Sequence, residues 1–108
     1  MTTPLAGITV LDFGQIFQGP YATMLMAKAG ANVIKIEPLG GEPLRRRTPP
    51  GQTTTLPFAM LNANKRGVTL NLKTAKGRGL LFDMARRADV VVENFAPGTM
   101  DAMGTGWS

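Results

Sequence analysis

Ile8-Thr-Val-Leu-Asp-Phe13, closed by Gly14, is a β-branched and apolar run of the kind that forms a strand buried on both faces. Pro20 suits a first helical position, where its missing N–H costs nothing. The helix formers from Tyr21 to Ala29 then run into Gly30, a helix stop. Asn32-Val-Ile-Lys-Ile-Glu37 supplies a second strand, so the first 37 residues spell β-α-β.

Outward from that unit the pattern repeats. Pro38 to Leu56 is rich in Pro, Gly and Thr, contains Arg45-Arg46-Arg47 and has no apolar period, which predicts a long loop of the functional or mobile kind. Pro57 to Asn64 reads as a helical turn, and Gly67-Val-Thr-Leu-Asn-Leu72 alternates as a strand does. Thr74 is placed to cap a helix to about Ala88, with Leu80, Leu81, Met84, Ala85 and Ala88 on one face and Arg86 and Arg87 in its last turn. Asp89-Val-Val-Val-Glu-Asn-Phe95 is a fourth strand, Ala96-Pro-Gly98 a turn, and Thr99 a cap for one last turn, Met100 to Met103.

This grammar predicts an α/β fold with a Rossmann-like, doubly wound, mostly parallel sheet. Ligands of such sheets sit beyond the carboxyl ends of the strands. Three segments fall there: Gly14 to Gly19, the loop from Pro38, and Asn94 to Gly98.

Composition limits the chemistry. The 108 residues make one domain with a modest core, and they include no His, no Cys and no Ser before Ser108. Ser-His and Cys-His nucleophiles, disulfides, and metal sites built on imidazole or thiolate are excluded, and the lack of Cys agrees with a cytoplasmic setting. No catalytic pair and no metal site is read from the sequence. The net charge of +5 points to an anionic partner, yet charged residues are only 18% and aromatics 6% of the chain, too sparse for a nucleic-acid surface. No apolar run reaches the roughly 18 residues of a membrane span.

The individual motifs carry different weights. Gly14-Gln-Ile-Phe-Gln-Gly19 has P-loop glycine spacing, but Pro20 and Tyr21 replace the Lys and hydroxyl residue that grip phosphate and magnesium. The dinucleotide fingerprint fails at Ile16, although Glu37 imitates its ribose-binding acid; a solvated carboxylate at a strand end explains Glu37 as well. Gly14 and Gly19 either let backbone approach a ligand or form a plain βα turn. Arg45, Arg46, Arg47, Lys65, Arg66 and Lys73 are candidates to clamp phosphates, against the plainer reading of solvated charges. Asn94 and Phe95 offer an amide and a ring at the sheet edge, or a cap over the core. Met24 and Met26 read as packing residues, and Asp12 and Asp83 as carboxylates without an evident partner.

Six segments in order carry a resemblance: Leu5-Ala-Gly-Ile-Thr-Val-Leu-Asp-Phe13, Gly19-Pro-Tyr-Ala-Thr23, Gly30-Ala-Asn-Val-Ile-Lys-Ile-Glu37, Asn62-Ala-Asn-Lys-Arg66, Leu70-Asn-Leu-Lys73 and Ala88-Asp-Val-Val-Val-Glu-Asn-Phe-Ala-Pro-Gly98. Together they resemble the amino-terminal part of the family III CoA-transferases, which also include acyl-CoA racemases. The resemblance implies residues 1–108 as the amino-terminal CoA-binding segment of a longer enzyme that forms an interlocked homodimer. CoA or acyl-CoA is then a substrate, with no permanently bound cofactor, and a carboxylic acid is the acceptor.

By similarity, the CoA contacts fall on Ile16, Phe17 and Gln18, on Leu70 and Lys73, and on Asn94 and Phe95. The family's nucleophile is an Asp carboxylate well downstream, so the segment alone is expected to be inactive. Phe17 stands where formyl-CoA-using members carry Gln, and Pro38 and Ala102 stand where they carry Arg; Arg45 to Arg47 are candidates to replace one of those two cations. An acyl-CoA racemase and a noncatalytic nucleotide-binding module are the alternatives.

Overall fold

A computed structural model describes residues 2–106. Four strands, β1 (Thr9–Asp12), β2 (Asn32–Glu37), β3 (Arg66–Thr69) and β4 (Val90–Val92), form one all-parallel sheet in the order β3-β2-β1-β4. The helices are α1 (Gln18–Lys28), α2 (Leu56–Leu61), α3 (Ala75–Ala85) and α4 (Thr99–Ala102). None is long and apolar enough to cross a membrane.

The expected doubly wound arrangement follows from the alternation of side chains along β1. Val10 packs with Ala31 and Val33 on the α1 face, joined by Met26 and Ala27. Leu11 and Phe13 pack on the opposite face with Ile36, Leu70 and Leu81 of α3. Both faces of β1 are therefore covered, as its central Val10 and Leu11 require. Met24 is buried and Met26 fills the α1 side of the core, as expected of gap-filling methionines.

Several boundaries differ from expectation for local reasons. Helix α1 begins two residues early, so Pro20 is its third residue; a proline is still tolerated there because first-turn N–H groups have no helical partner. Strand β3 stops at Thr69, and Leu70 to Lys73 turn instead into the helix that Thr74 caps by accepting from Gly77 N–H at 3.0 Å. Helix α3 ends at Ala85, which leaves Arg86 as its C-cap rather than inside its last turn, and Leu80 is exposed while Leu81, Met84, Ala85 and Ala88 pack inward. Gly98, with φ of 84°, is the N-cap of α4 in place of Thr99, since the chain reverses there through a left-handed conformation. Asp83 pairs with Arg86 on the surface.

Residues Pro38 to Thr55 are irregular, as expected, yet the segment is pinned to the sheet. Leu44 packs with Phe58 and Leu61 of α2, and Thr55 caps α2 by accepting from Phe58 N–H at 3.2 Å.

Candidate functional site

The carboxyl end of the sheet on its α1 face carries charge where a core would carry aliphatic groups. The parallel register sets Asp12 beside Lys35, and Glu37 follows two residues along the same face. All three are nearly inaccessible to water, and each has an ionic partner from a later segment: Lys65 for Asp12 at 2.9 Å, Glu42 for Lys35 at 3.8 Å, and Arg45 for Glu37 at 2.7 Å. Three acids meet three bases. The network is neutral, so the net charge of +5 resides on the other ionisable residues.

Each pair ties a distant segment to the sheet. Lys65 Nζ also donates to Asn62 Oδ1 and to the Pro20 carbonyl, while Asp12 accepts from Thr23 Oγ1 at 2.6 Å and from Gly14 N–H at 2.7 Å. Burial holds the Lys65 ammonium below its ordinary pKa, with the bond to Asp12 acting in the opposite sense. Burial alone would raise the Glu37 carboxyl, but hydrogen bonds from Arg45 and from Glu42 N–H outweigh it and the pKa is lowered. Arg45 also lies over the Phe58 ring, with its Cζ 4.0 Å from the centroid.

These contacts revise the reading of the basic residues. Arg45 is engaged by Glu37, Arg46 donates twice to the Gly41 carbonyl, and the Lys65 ammonium is buried against Asp12. Arg47 is exposed, and among the described residues its side chain makes no hydrogen bond or ion pair. Asp12, for which the sequence showed no partner that would mark it as a general acid or base, is held by Lys65, Thr23 and Gly14, and Glu37 is not a solvated carboxylate. The pairing was not visible in the sequence because the partners are 53, 7 and 8 residues apart in chain order and meet only across the sheet edge.

The reversal of strand order falls between β1 and β4, where the connection from β3 through α3 returns to the far side of β1. At that point Asn94 and Gln15 join the two loops: Asn94 Oδ1 accepts from Gln15 N–H at 2.7 Å, and Asn94 Nδ2 donates to the Gln15 carbonyl at 2.9 Å. The next residue, Ile16, has φ of 64°, a left-handed conformation that is strained for a β-branched side chain. Gly14 and Gly19 serve the loop's own closure. A Cβ on Gly19 would lie 2.8 Å from Gly14 Cα, and one on Gly14 would lie 2.8 Å from the Gly19 carbonyl carbon.

Beside this junction a cleft of about 180 Å³ opens at the carboxyl edge, where Glu37 and Glu42 of the ionic network also line it. Its walls include Phe13, Ile36, Leu70, Leu72, Phe95 and Met103, and Lys73 stands exposed at its rim. Phe95 packs edge-on to Phe13, with centroids 6.2 Å apart. Leu70, Lys73 and Phe95 thus share one cleft. Ile16, Phe17 and Gln18 lie on the neighbouring loop and first turn of α1, with the Phe17 ring stacked on Tyr21 at 5.6 Å. Asn94 sits between the two groups, its amide turned to Gln15. No side chain caps the start of α1. Pro38 lines the cleft, and Ala102 precedes the lining residue Met103, so both positions at which a family arginine was expected lie beside it.

Among the described residues no group of acidic side chains is arranged to hold a metal ion. The sequence reading missed Glu42, whose carboxylate is buried and bonded to Ile16 N–H at 3.0 Å. Nothing in its surroundings of Gly, Pro and Leu signals burial.

The family model for CoA-transferase family III matches residues 5–108. A formyl-CoA:oxalate CoA-transferase of Streptomyces avermitilis is 47% identical over 113 aligned positions, covering 99% of this chain and 26% of that protein. A protein of the same description from Escherichia coli O6:H1 is 48% identical, again over 99% of this chain and 26% of its own length. Among solved structures, a CAIB/BAIF family protein of Brucella suis matches with a TM-score of 0.91 at 34% identity, over 99% of this chain and 30% of that one. A hypothetical protein of Mycobacterium tuberculosis matches with a TM-score of 0.89 at 42% identity, over 97% and 29%. The chain spans about a quarter of the length of the curated relatives it matches.

Proposed function

The chain belongs to CoA-transferase family III, and from that membership we propose that it is the acyl-CoA-binding segment of a cytoplasmic enzyme moving CoA from an acyl-CoA donor to a carboxylic acid. The observation that carries the reading is the Asn94–Gln15 clasp. It sets the β1–α1 loop, with Ile16, Phe17 and Gln18, directly beside the cleft of Leu70, Lys73 and Phe95 at the reversal of strand order.

The cleft is smaller than the roughly 300 Å³ at which drug-sized sites begin, and suits one end of a long ligand rather than the whole. Its apolar walls and aromatic pair favour the purine of CoA, with Lys73 at the rim for the ribose phosphate. The uncapped N-terminus of α1 favours the diphosphate, and the arm continues along Phe17 and Gln18. CoA acts here as substrate, not as a resident cofactor.

The nucleophile in this reading is an Asp carboxylate on the longer polypeptide. It attacks the thioester carbonyl and expels CoA thiolate, leaving an acyl-aspartyl anhydride; the thiolate then attacks the Asp carbonyl, releasing the donor acyl group as its carboxylate and leaving CoA on the enzyme as a thioester, from which the acceptor carboxylate takes CoA through a second anhydride. Consistent with this, Asp12, Glu37 and Glu42 are each held in an ion pair. The exposed apolar side chains of Tyr21, Leu25, Leu56 and Met60 support burial of this surface against the rest of the enzyme and its partner in an interlocked homodimer.

The relatives' names make formyl-CoA and oxalate the first substrate pair to try. Titration of CoA into the full natural polypeptide carrying this segment should show saturable binding, weakened by Lys73→Ala and by added salt. An absence of saturable binding overturns the reading.

A further inference from the structure

Glu42 occupies an unusual position for a loop carboxylate. Its side chain is 2% exposed, its own N–H donates to Glu37 Oε2 at 2.9 Å, and it reaches across to the β1–α1 loop. There Oε2 accepts from Ile16 N–H at 3.0 Å. Oε1 makes no hydrogen bond among the described residues and lies 3.8 Å from Lys35 Nζ. Lys35 in turn donates to the Gly14 carbonyl at 3.0 Å. The buried pair therefore grips one loop at two points, two residues apart.

Two costs accompany that grip. A buried carboxylate oxygen without a hydrogen bond is expensive, and the left-handed Ile16 adds about 1–2 kcal/mol of strain. Loop closure alone does not require either. Asn94 already takes both polar groups of the Gln15 backbone, and Asp12 takes Gly14 N–H. What Glu42 adds is control of the one residue at which the loop turns outward, immediately before the exposed Phe17 and Gln18.

We propose that Glu42 is a positioning residue for the bound acyl-CoA: through Ile16 N–H and Lys35 it holds the β1–α1 loop in the strained shape that presents Ile16, Phe17 and Gln18 to the ligand. The proposal rests on the reading that this loop contacts CoA. Glu42 also lines the cleft but is 2% exposed, so its role here runs through the loop and not through direct contact with the ligand. The charge matters because a neutral amide offers one acceptor, whereas Ile16 N–H and the Lys35 ammonium are both donors.

The test compares CoA with adenosine 3′-phosphate, which carries the purine and ribose phosphate of the cleft but neither diphosphate nor arm. In the full natural polypeptide, Glu42→Gln should raise the Kd for CoA about tenfold, the scale on which the Ile16 N–H bond weakens from charge-assisted to neutral, and change that for adenosine 3′-phosphate by less than about twofold. Hydrogen exchange at the Ile16 amide should quicken in parallel. Should Glu42→Gln fold poorly, the neutral pair Lys35→Gln with Glu42→Gln removes both charges together and should show the same selective loss. Equal weakening of both ligands, or an unchanged Kd for CoA in a folded variant, overturns the proposal while leaving the CoA site standing. Failure of the unsubstituted protein to bind CoA overturns the site and this proposal with it.

Discussion

Asn94 and Gln15, 79 residues apart, are joined by a two-way clasp in which one side-chain amide satisfies both the N–H and the carbonyl of one backbone unit. The clasp closes the sheet edge where strand order reverses and makes the loops after β1 and β4 a single surface. An amide is the side chain suited to this, because it pairs a donor and an acceptor in one plane.

Asn94→Asp retains the acceptor and loses the donor, leaving the Gln15 carbonyl unpaired next to a carboxylate. Stability should fall by about 1–3 kcal/mol, the cost of a part-buried polar group without its partner. CoA affinity should fall with it. Urea denaturation and CoA titration of the variant measure both.

Lys65→Met removes the counter-charge of the fully buried Asp12. Breaking such a pair from one side costs about 3–5 kcal/mol. The double variant Asp12→Asn with Lys65→Met should lose less than the two single losses combined, because no buried charge is then left alone. A double-mutant cycle by thermal or urea unfolding gives the coupling.

The Glu37 carboxyl is held below its ordinary value of 4.5 in the folded chain. Its contribution to stability is therefore complete above about pH 4.5 and is lost as pH falls through the folded value. Arg45→Ala should move the acid-unfolding midpoint to higher pH. Because the Arg45 side chain is 47% exposed, the loss at neutral pH should be no more than about 1 kcal/mol. Acid titration followed by circular dichroism tests the shift.

Gly14→Ala places a methyl group 2.7 Å from Asp12 Oδ1 and 2.8 Å from Gly19 and Pro20. The loop must open to admit it, at a cost of about 2 kcal/mol or more by analogy with overpacked cores. Gly67→Ala, where nothing lies within 4 Å of the added Cβ, is the control and should be nearly neutral.

Much of the local structure was legible in the chain. Asn32–Glu37 is a strand to the residue, and Thr74 caps α3 as its hydroxyl and spacing predict. The reading failed where a residue's role depends on a distant partner. Pro38 to Thr55 has the composition of a mobile loop and is instead tied down by Glu42, Leu44 and Arg45. Gly14 and Gly19, readable in the sequence either as a ligand loop or as a plain βα turn, are needed for the loop's contact with itself.

Local rules, which act over a few residues, determined the α/β alternation, the caps and the face that a ligand would meet: alternation of apolar side chains, helix stops and strand ends are all written in adjacent positions. Tertiary structure alone decided that Asp12, Lys35 and Glu37 form a neutral buried network and that Glu42 holds Ile16. Burying a charge costs more than a surface pair returns, so the fate of each ionisable side chain depends on a partner brought from elsewhere in the chain. Only the folded sheet edge brings those partners together.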